Sequence, residues 1–450
     1  MISAVFAVVL IYLSLPAFNG IVEKHLSAHA TYPIHLLALL IIALFCGLIA
    51  GSYPAFYLSS FKPVNILKGI KFKNSGSAGY IRKGLVVLQF SISVILIIGT
   101  IIIYQQILHV KDRDLGYNKQ DLIYTGLQGK MKQHFNTIKN DLQATGFVQN
   151  ASLSQNRVLQ LGSNTGDFQW EGKDPNKQVL ITIEPVSPEY ISTMGMKLKA
   201  GRDFYSDMKA DSNNVIINES LAKIMNQKNI IGSILLNNGA KYTIVGVIND
   251  FVYNDMYSSA APLIMFPDTA NAYCLTMRVK PNTNLVVALP AIEKVIKADN
   301  PGYPFEYRFV DAEFEKYFKT ETLIGKLAGI FSVLAIFISC LGLFGLAAYT
   351  AERRTKEIGI RKVMGASTQG LAALLSKDFL QLVAISCLIA FPIAWWAMKS
   401  WLQSYTYRID INWTVFVMSG LLALLIAVLT VSFQAIKAAI ANPVKSLRTE

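Results

Sequence analysis

Charged residues are scarce in this sequence. Asp, Glu, Lys and Arg make up 16% of its 450 residues, against about 25% in soluble domains, and 52% of the residues are hydrophobic. Most of the long apolar runs reach the roughly 20 residues that a membrane-spanning helix needs. The runs are residues 2–18, 35–59, 84–108, 323–349, 379–401 and 414–436. The composition therefore predicts an integral membrane protein with about six transmembrane helices.

The first apolar run has a second interpretation. It starts almost at Met1, as a secretory signal peptide does, but no basic residues precede it. Tyr12, Pro16 and the loop that follows are more typical of a helix that leaves the membrane. We favour a transmembrane helix and keep the signal peptide as the alternative.

Cysteine is also scarce. Cys46, Cys340 and Cys387 lie within apolar runs, and Cys274 is alone in the large polar region 109–322. That region therefore has no second cysteine for an internal disulfide. The cysteines also lack the spacing of zinc ligands.

Sequence motifs for catalysis are missing. The sequence contains no Walker A motif, no H-E-x-x-H and no G-x-S-x-G, and GLQGKMK at 126–132 does not match a nucleotide-binding loop. His25 and His29, four residues apart with Glu23 nearby, are a weak candidate for metal binding. We predict no catalytic residues, no metal site and no cofactor.

Acidic and basic residues are almost absent from the middle of the apolar runs. Ion-coupled transporters usually carry such residues there. Lys326 lies near the end of its run, where its side chain can reach the membrane surface. The sequence therefore argues against a pore for polar substrates through the spans.

Lysine and arginine are concentrated in alternate loops, within a formal net charge of +13. The basic loops are 60–83, 350–378 and 437–450, which the positive-inside rule assigns to the cytoplasm. Both termini are then cytoplasmic, and 109–322 lies outside together with the short segments 19–34 and 402–413. We predict no nucleic-acid partner, because topology accounts for the basic charge.

The polar region 109–322 mixes helix and strand patterns. Strands are predicted at 179–187 and 241–251, and a helix is predicted at 290–298. The stretch 215–225 predicts a strand followed by a helix that is capped near Asn218. The edges at 105–114 and 311–331 are helical and continue the spans. The sequence thus predicts one large α+β extracytoplasmic domain on a helical stalk.

Two stretches repeat elsewhere in the chain. YPAFYLSSFKPVNILK at 53–68 matches FQAIKAAIANPVKSLR at 433–448, and LPAFNGIVEKHL at 15–26 is similar in kind to FPIAWWAMKSWL at 391–402. The distances between the prolines agree closely, 63 − 16 = 47 and 443 − 392 = 51. Residues 1–70 therefore resemble the last two spans of a unit whose full copy is 80–450. NSGSAGY at 74–80 has the composition of a flexible linker.

The loop between the fourth and fifth runs contains ERRTKEIGIRKVMGAS at 352–367. Glu357 and Arg361 are four residues apart in the order that favours a helix. Gly365 is a plausible end signal, and Gly359 inside the helix suggests a close approach or a bend.

The same segment carries an apolar stripe. Ile360, Val363 and Met364 share one side of a helix at i, i+3, i+4 spacing. A loop that only sets topology needs neither this stripe nor interleaved acids. We therefore predict a short amphipathic helix on the membrane surface that is offered to a cytoplasmic partner.

This segment, following FISCLGLFGLAAYTA at 337–351, resembles the signature of the FtsX/MacB-like ABC transporter permeases. NPVKSLR, KPVNILKG and the external series GRDF…VIINESLA…YTIVGVINDF fit the same family. The match is closest to permeases in which two units are fused. Such a permease has two external domains and two coupling helices, whereas this sequence has one of each. We therefore expect either a truncated or split product whose first unit is incomplete at the N-terminus, or a chain that pairs with another chain.

The resemblance implies a division of the chain into five parts. They are the last two transmembrane helices of an incomplete first unit (1–70), a cytoplasmic linker (71–83), a transmembrane helix (84–108), a MacB-like extracytoplasmic domain (109–322), and an FtsX-like three-helix transmembrane domain (323–450) with a coupling helix at 351–366.

In such proteins the charged segment resembles a coupling helix that docks onto a separate cytoplasmic P-loop ATPase. Movement of the ATPase is carried to the external domain and no substrate passes between the spans, which is mechanotransmission. ATP hydrolysis is then expected in the partner, and this chain is not an enzyme. The residues implied in docking are Glu352, Arg353, Arg354, Lys356, Glu357, Arg361 and Lys362 for charge, Ile358, Ile360, Val363 and Met364 for the apolar face, and Gly359 and Gly365 for shape.

The resemblance also implies a setting, the bacterial inner membrane. The implied activity is export of a peptide, antibiotic or lipoprotein-type substrate. The implied partners are membrane lipid, a second copy or second permease unit, and a periplasmic adaptor. Three alternatives stay open: a membrane-anchored receptor or signalling scaffold, an inactive remnant of a longer permease, and a membrane enzyme that uses the external domain.

Overall fold

The computed structural model describes residues 2–27, 33–59 and 76–440. The chain divides into two compact units. One unit, here called the helical unit, contains residues 1–104, 321–399 and 411–450. The other, here called the external unit, contains residues 105–320 and 400–410. The short segment 400–410 is therefore part of the external unit, although it lies between two long apolar helices in the sequence.

The secondary structure of the described residues is mainly long helices and short strands. The helices are α1 (Ile2–Val22), α2 (Pro33–Ser59), α3 (Gly76–Lys111), α4 (Phe135–Ala144), α5 (Tyr190–Met194), α6 (Glu219–Met225), α7 (Leu285–Asp299), α8 (Val310–Lys316), α9 (Lys319–Arg353), α10 (Thr355–Val363), α11 (Thr368–Leu402) and α12 (Trp413–Ile440). The strands are β1 (Leu122–Gly126), β2 (Val148–Ser154), β3 (Asn164–Thr165), β4 (Ile181–Val186), β5 (Leu198–Gly201), β6 (Asn214–Asn218), β7 (Ile234–Asn237), β8 (Ala240–Ile248), β9 (Leu263–Pro267), β10 (Cys274–Val279) and β11 (Tyr307–Phe309).

The helical unit is built from apolar helices. Within the described residues, five helices are long and apolar enough to cross a membrane, namely α1, α3, α9, α11 and α12. The predicted second span is also helical, as α2, and its stretch Leu37–Leu48 is apolar. The structure thus confirms the α-helical membrane architecture. The predicted repeats 53–68 and 433–448 lie partly outside the described residues, at 60–68 and 441–448. Residues 71–75 of the predicted linker 71–83 lie outside them as well. The rest of the linker, which includes 76–80 of the stretch expected to be flexible, is helical and forms the start of α3.

Hydroxyl groups join the helices of this unit. The Ser93 and Ser339 hydroxyls of α3 and α9 lie 3.0 Å apart, and those of Thr100 and Ser332 lie 3.1 Å apart. Ser91 of α3 donates to the Ser386 carbonyl of α11 at 3.2 Å. Such bonds between helices stabilise membrane bundles by about 0.6 kcal/mol each. The hydroxyl groups of these spans therefore serve in contacts between helices.

The external unit is organised around an 11-stranded mixed sheet. Its strand order is β11-β1-β10-β2-β4-β9-β6-β8-β5, and β3 and β7 pair with β4 and β8. Most pairs are antiparallel, but β4–β9 and β6–β8 are parallel. The α+β prediction is confirmed, including the cap of α6, where the Asn218 side chain accepts from the Leu221 N–H at 3.1 Å.

A glycine sets the spacing between two segments of this sheet. Gly246 lies inside β8, where a Cβ atom would come within 2.4 Å of the Arg202 carbonyl oxygen. Any larger residue would push the Arg202 backbone away. The glycine noted in the predicted strand is therefore explained by close backbone approach.

Both sides of the sheet are covered. Helices α4 and α7 pack on one part of one face, and α6 packs on another part, each over a buried apolar cluster. A third cluster includes residues from both predicted stalk edges, Val110, Phe314 and Phe318, which are 1%, 0% and 0% exposed. Lys111 of α3 and Glu315 of α8 form an ion pair between these edges. The two edges therefore pair with each other within the external unit, as predicted for a helical stalk.

Candidate coupling site

The charged segment forms a separate short helix. Helix α9 ends at Arg353, and after one residue the nine-residue helix α10 begins at Thr355. Arg354 occupies the N-cap position without a capping bond from its side chain, and its carbonyl accepts the first helical hydrogen bond, from the Ile358 N–H at 2.9 Å. The predicted coupling helix 351–366 thus includes the last turn of α9 as well as α10.

The end of α10 is a sharp reversal. Gly365 has φ +89°, and its N–H donates to the Lys362 carbonyl at 3.1 Å, while the Ala366 N–H donates to the Arg361 carbonyl at 2.9 Å. This pair of bonds is the Schellman arrangement, which satisfies carbonyls that the helix end leaves open. Ser367 then starts α11, and its hydroxyl accepts from the Gly370 N–H at 3.1 Å. Gly365 ends the helix as its sequence position predicts.

Ion pairs hold the charged residues of the segment. Arg361 contacts Glu357 within α10 at 2.9 Å, and Arg354 contacts Asp378 of α11 at 3.0 Å. All four side chains are 38–46% exposed, so each pair contributes about 0–1 kcal/mol. The pair with Asp378 connects the start of α10 to the next span. Sequence reasoning missed Asp378, because the contact joins two helices.

Stacking holds the last arginine of α9. The Arg353 guanidinium lies 5.2 Å from the centre of the Tyr349 ring one turn earlier. Arg82 of α3 lies 4.2 Å from the same ring. Tyr349 therefore joins the charged segment to the basic residues that precede the third span. Neither Arg82 nor Tyr349 was among the predicted site residues.

The apolar residues of the segment divide between two directions. Ile358 is 8% exposed and buried in the protein, and α10 lies against α12. Ile360, Val363 and Met364 are 51%, 67% and 81% exposed. The four predicted contact residues are therefore not equivalent. One anchors α10 to the helical unit, and the other three form an outward surface, here called the apolar trio.

The remaining predicted site residues lie close by in the chain. Glu352 is exposed in the last turn of α9, and Lys362 is half-buried in the last turn of α10. Lys356 and Gly359 lie within α10. The predicted residues thus lie together on one short helix, in the turn before it and in the two residues after it.

Two family models match this chain. The FtsX-like permease C-terminal model matches residues 329–443, which include the whole charged segment. The MacB-like periplasmic core domain model matches residues 84–295. These segments cover most of α9 to α12 and most of the external unit.

Curated relatives carry ABC transporter names. The "Macrolide export ATP-binding/permease protein MacB" of Neisseria gonorrhoeae is 24% identical over 224 residues, 48% of this chain and 34% of that protein. The "Uncharacterized ABC transporter permease YknZ" of Bacillus subtilis is 23% identical over 283 residues, 60% of this chain and 70% of that protein. The chain therefore spans about a third of the length of the MacB relative.

Solved structures are similar to part of this chain. The periplasmic region of MacB from Actinobacillus actinomycetemcomitans is 15% identical, covers 46% of this chain and 97% of its own, and has a TM-score of 0.33. The extracellular domain of YknZ is 15% identical, covers 42% and 97%, and has a TM-score of 0.30.

The two family models account for complementary parts of the chain. One describes the region with the third span and the external sheet, and the other describes the last spans with the charged helix between them. The name of the MacB relative combines an ATP-binding part with a permease, and the name of the YknZ relative gives a permease alone. The protein belongs to the FtsX/MacB-like ABC transporter permeases.

Proposed function

We propose that this chain is the membrane subunit of an ABC transporter in which α10 docks onto a separate cytoplasmic ATPase. The observation that carries the proposal is the apolar trio, exposed on a short helix between two long apolar helices. Covering a side chain of this size contributes about 1.5–3 kcal/mol, so three of them provide a strong contact.

The charges around the trio favour a protein partner over a lipid surface. Anionic lipids attract Lys and Arg and repel acids. The outward side of the segment carries Glu352 and Glu357 beside Arg353 and Arg361. A protein surface with complementary charges of both signs fits this pattern, and it also sets the orientation of docking.

We propose that movement of the docked ATPase is carried to the external unit by mechanotransmission. The connections at both ends of α10 support this step. Only Arg354 separates α10 from α9, the Gly365 turn joins it to α11, and the pair of Arg354 with Asp378 fixes its start. A displacement of α10 therefore acts on two spans at once.

The proposed setting is the bacterial inner membrane, with both termini in the cytoplasm and 109–322 outside. The distribution of Lys and Arg supports this orientation. Trp396 and Trp413 add support, because they are 69% and 71% exposed near the opposite ends of the spans from α10. Exposed tryptophans at span ends are typical of the membrane interface.

The proposed activity is export of a peptide, antibiotic or lipoprotein-type substrate by the external unit. The proposed assembly includes a second copy or second permease unit and a periplasmic adaptor. Use of the Ser93, Thr100, Ser332 and Ser339 hydroxyls between helices supports a mechanism in which spans transmit force instead of lining a substrate path.

The test is capture of partners from native membranes with the full chain. We expect a P-loop ATPase to be captured with the unchanged chain and to be lost from the double variant Ile360→Asp with Met364→Asp. The matched control is Val286→Asp on the external unit, because Val286 and Met364 are both 81% exposed. Mass spectrometry identifies the partners.

The control separates loss of docking from loss of protein. If Val286→Asp keeps the ATPase and the double variant does not, α10 is the docking element. Retention of the ATPase by the double variant would show that docking lies elsewhere. Capture of no ATPase by any version would contradict the proposed function itself.

A further inference from the structure

The outer loop between α11 and α12 (residues 403–412) is held by the external unit. Residues 400–410 belong to that unit, although the flanking helices α11 and α12 belong mainly to the helical unit. The external unit is thus reached by four chain connections, at 104/105, 320/321, 399/400 and 410/411. Two of them are the predicted stalk edges, and the other two are the ends of this short segment.

One side chain makes two hydrogen bonds to the backbone of the outer loop. Gln106, near the end of α3, is fully buried. Its Nε2 donates to the Tyr407 carbonyl at 2.9 Å, and its Oε1 accepts from the Ile409 N–H at 2.9 Å. An amide that uses both its donor and its acceptor on one backbone fixes the register of that segment.

The ring of Tyr407 is held by the same stalk edge. The His109 ring stacks on it, with ring centres 4.5 Å apart and an angle of 4° between planes. The Arg113 guanidinium lies 4.3 Å from the ring centre. Gln106, His109 and Arg113 lie about one turn apart on or just past α3, so a single helix edge makes three contacts with this tyrosine.

The contacts continue into the external domain. The Tyr407 N–H donates to the Tyr257 carbonyl at 2.7 Å, and the rings of Tyr257 and Tyr405 lie 4.6 Å apart. Arg113 also donates to the Ser258 carbonyl at 2.6 Å, in the segment that follows β8. Tyr407 packs against the buried apolar cluster that includes Phe318. The outer loop is therefore bound to the stalk and to the sheet domain together.

We propose that Gln106 and Tyr407 form a clasp that makes the outer loop a second mechanical connection to the external unit. The hairpin of α11 and α12 then moves the external domain through its loop, in addition to the movement that α3 and α9 carry. This inference rests on the proposed function. Gln106 and Tyr407 act as positioning residues, because their contacts are with the protein's own backbone and rings.

Hydrogen exchange on the full chain in lipid nanodiscs tests the clasp without any ATPase. We expect peptides covering 403–412 to exchange slowly in the unchanged chain and at least about tenfold faster in Gln106→Leu, which loses both hydrogen bonds at similar volume. The matched control is Gln105→Ala, because Gln105 is the adjacent residue and its side chain is exposed. This control should leave the loop unchanged.

A second pair of variants guards against misfolding. Tyr407→Phe keeps the ring between His109 and Arg113 and should keep the loop protected, whereas Tyr407→Ala should release it. A peptide covering β8 reports whether the domain is folded. The clasp is wrong if residues 403–412 already exchange quickly in the unchanged chain. It is also wrong if Gln106→Leu and Gln105→Ala give the same exchange rate in these residues while β8 stays protected. If Gln106→Leu also exposes β8, the two Tyr407 variants test the clasp. Tyr407→Ala must then release the loop and Tyr407→Phe must keep it protected.

The ATPase provides the separate readout. Capture of the ATPase by Gln106→Leu should equal that of the unchanged chain, because the apolar trio on α10 is intact. A free loop with capture retained supports both proposals. A protected loop with no ATPase captured would contradict the proposed function and leave the clasp standing.

Discussion

At the scale of single residues, Glu184 of β4 is the most perturbed carboxyl group of the external unit. Its side chain is fully buried and accepts hydrogen bonds from the backbone N–H and side-chain amide of Asn156, both at 2.8 Å. Burial raises the pKa of Glu184 to about 7, although the hydrogen bonds from Asn156 act in the opposite direction. The carboxyl group therefore holds its proton more tightly in the folded protein.

This shift predicts that the external unit loses stability as pH rises. The folded pKa of about 7 exceeds the ordinary value of 4.5, so the effect of Glu184 is absent below pH 4.5 and grows until about pH 7. Its full size is on the order of 3 kcal/mol. We expect Glu184→Gln to reduce the pH dependence between pH 5 and 7.5.

The measurement is hydrogen exchange of peptides covering β4 and β9 in the full chain at both pH values, corrected for the intrinsic pH dependence of exchange. Val286→Asp serves as the control, since Val286 is exposed at the start of α7. An unchanged pH dependence in Glu184→Gln would mean that other groups cause it.

At the scale of elements, the proposed docking of α10 depends on the residue at which this helix ends. Gly365 has φ +89°, and a Cβ there would meet nothing within 4 Å, so the backbone conformation alone demands glycine. A residue with a Cβ atom costs about 1–2 kcal/mol in this region. The Schellman turn therefore places the apolar trio through local backbone geometry.

We predict that Gly365→Ala weakens ATPase capture severalfold, because α10 no longer ends cleanly after Val363. Gly345→Ala is the control, since Gly345 lies inside α9 with open space around its Cβ position. Quantitative mass spectrometry of captured ATPase measures the effect. Equal capture by both variants would remove the turn from the docking mechanism.

At the scale of the whole molecule, orientation in the membrane decides which surfaces meet which partners. The proposed topology puts Val286 outside and Met364 in the cytoplasm. Both are 81% exposed, so they are matched reporters. Cys274 is 4% exposed, and burial raises the pKa of its thiol to about 11, so this external cysteine should react slowly.

We predict that a membrane-impermeant maleimide labels Val286→Cys in intact cells and labels Met364→Cys after the membrane is opened. The unchanged chain gives the background from its own cysteines. Labelling of Met364→Cys in intact cells would contradict the proposed topology. It would also contradict the docking of a cytoplasmic ATPase on α10.

The bounds of the helices and strands show which features could be predicted from neighbouring residues. The alternating residues of 179–187 became β4, and the strand-then-helix pattern of 215–225 became β6 and α6 with Asn218 as the cap. These predictions succeeded because strand alternation and helix capping are set by neighbours in the chain. The start of α10 was less visible, because the break at Arg354 carries no glycine or proline.

The candidate site was predicted in part for the same reason. The Glu357–Arg361 pair and the Gly365 turn are local and could be anticipated. The inward direction of Ile358 could not, because it depends on where α12 lies. Helical spacing places residues on a face but does not say which face is covered.

The sequence by itself determined the class of this protein, since long apolar runs, interleaved charges and period-two strands follow from neighbouring residues. Only the tertiary structure decided that the loop after α11 belongs to the external unit. The contact between Gln106 and Tyr407 joins residues 301 positions apart, and neither has a local pattern that specifies its partner. Such pairing is set when helices and sheet pack, because only then do a buried amide and a distant backbone meet.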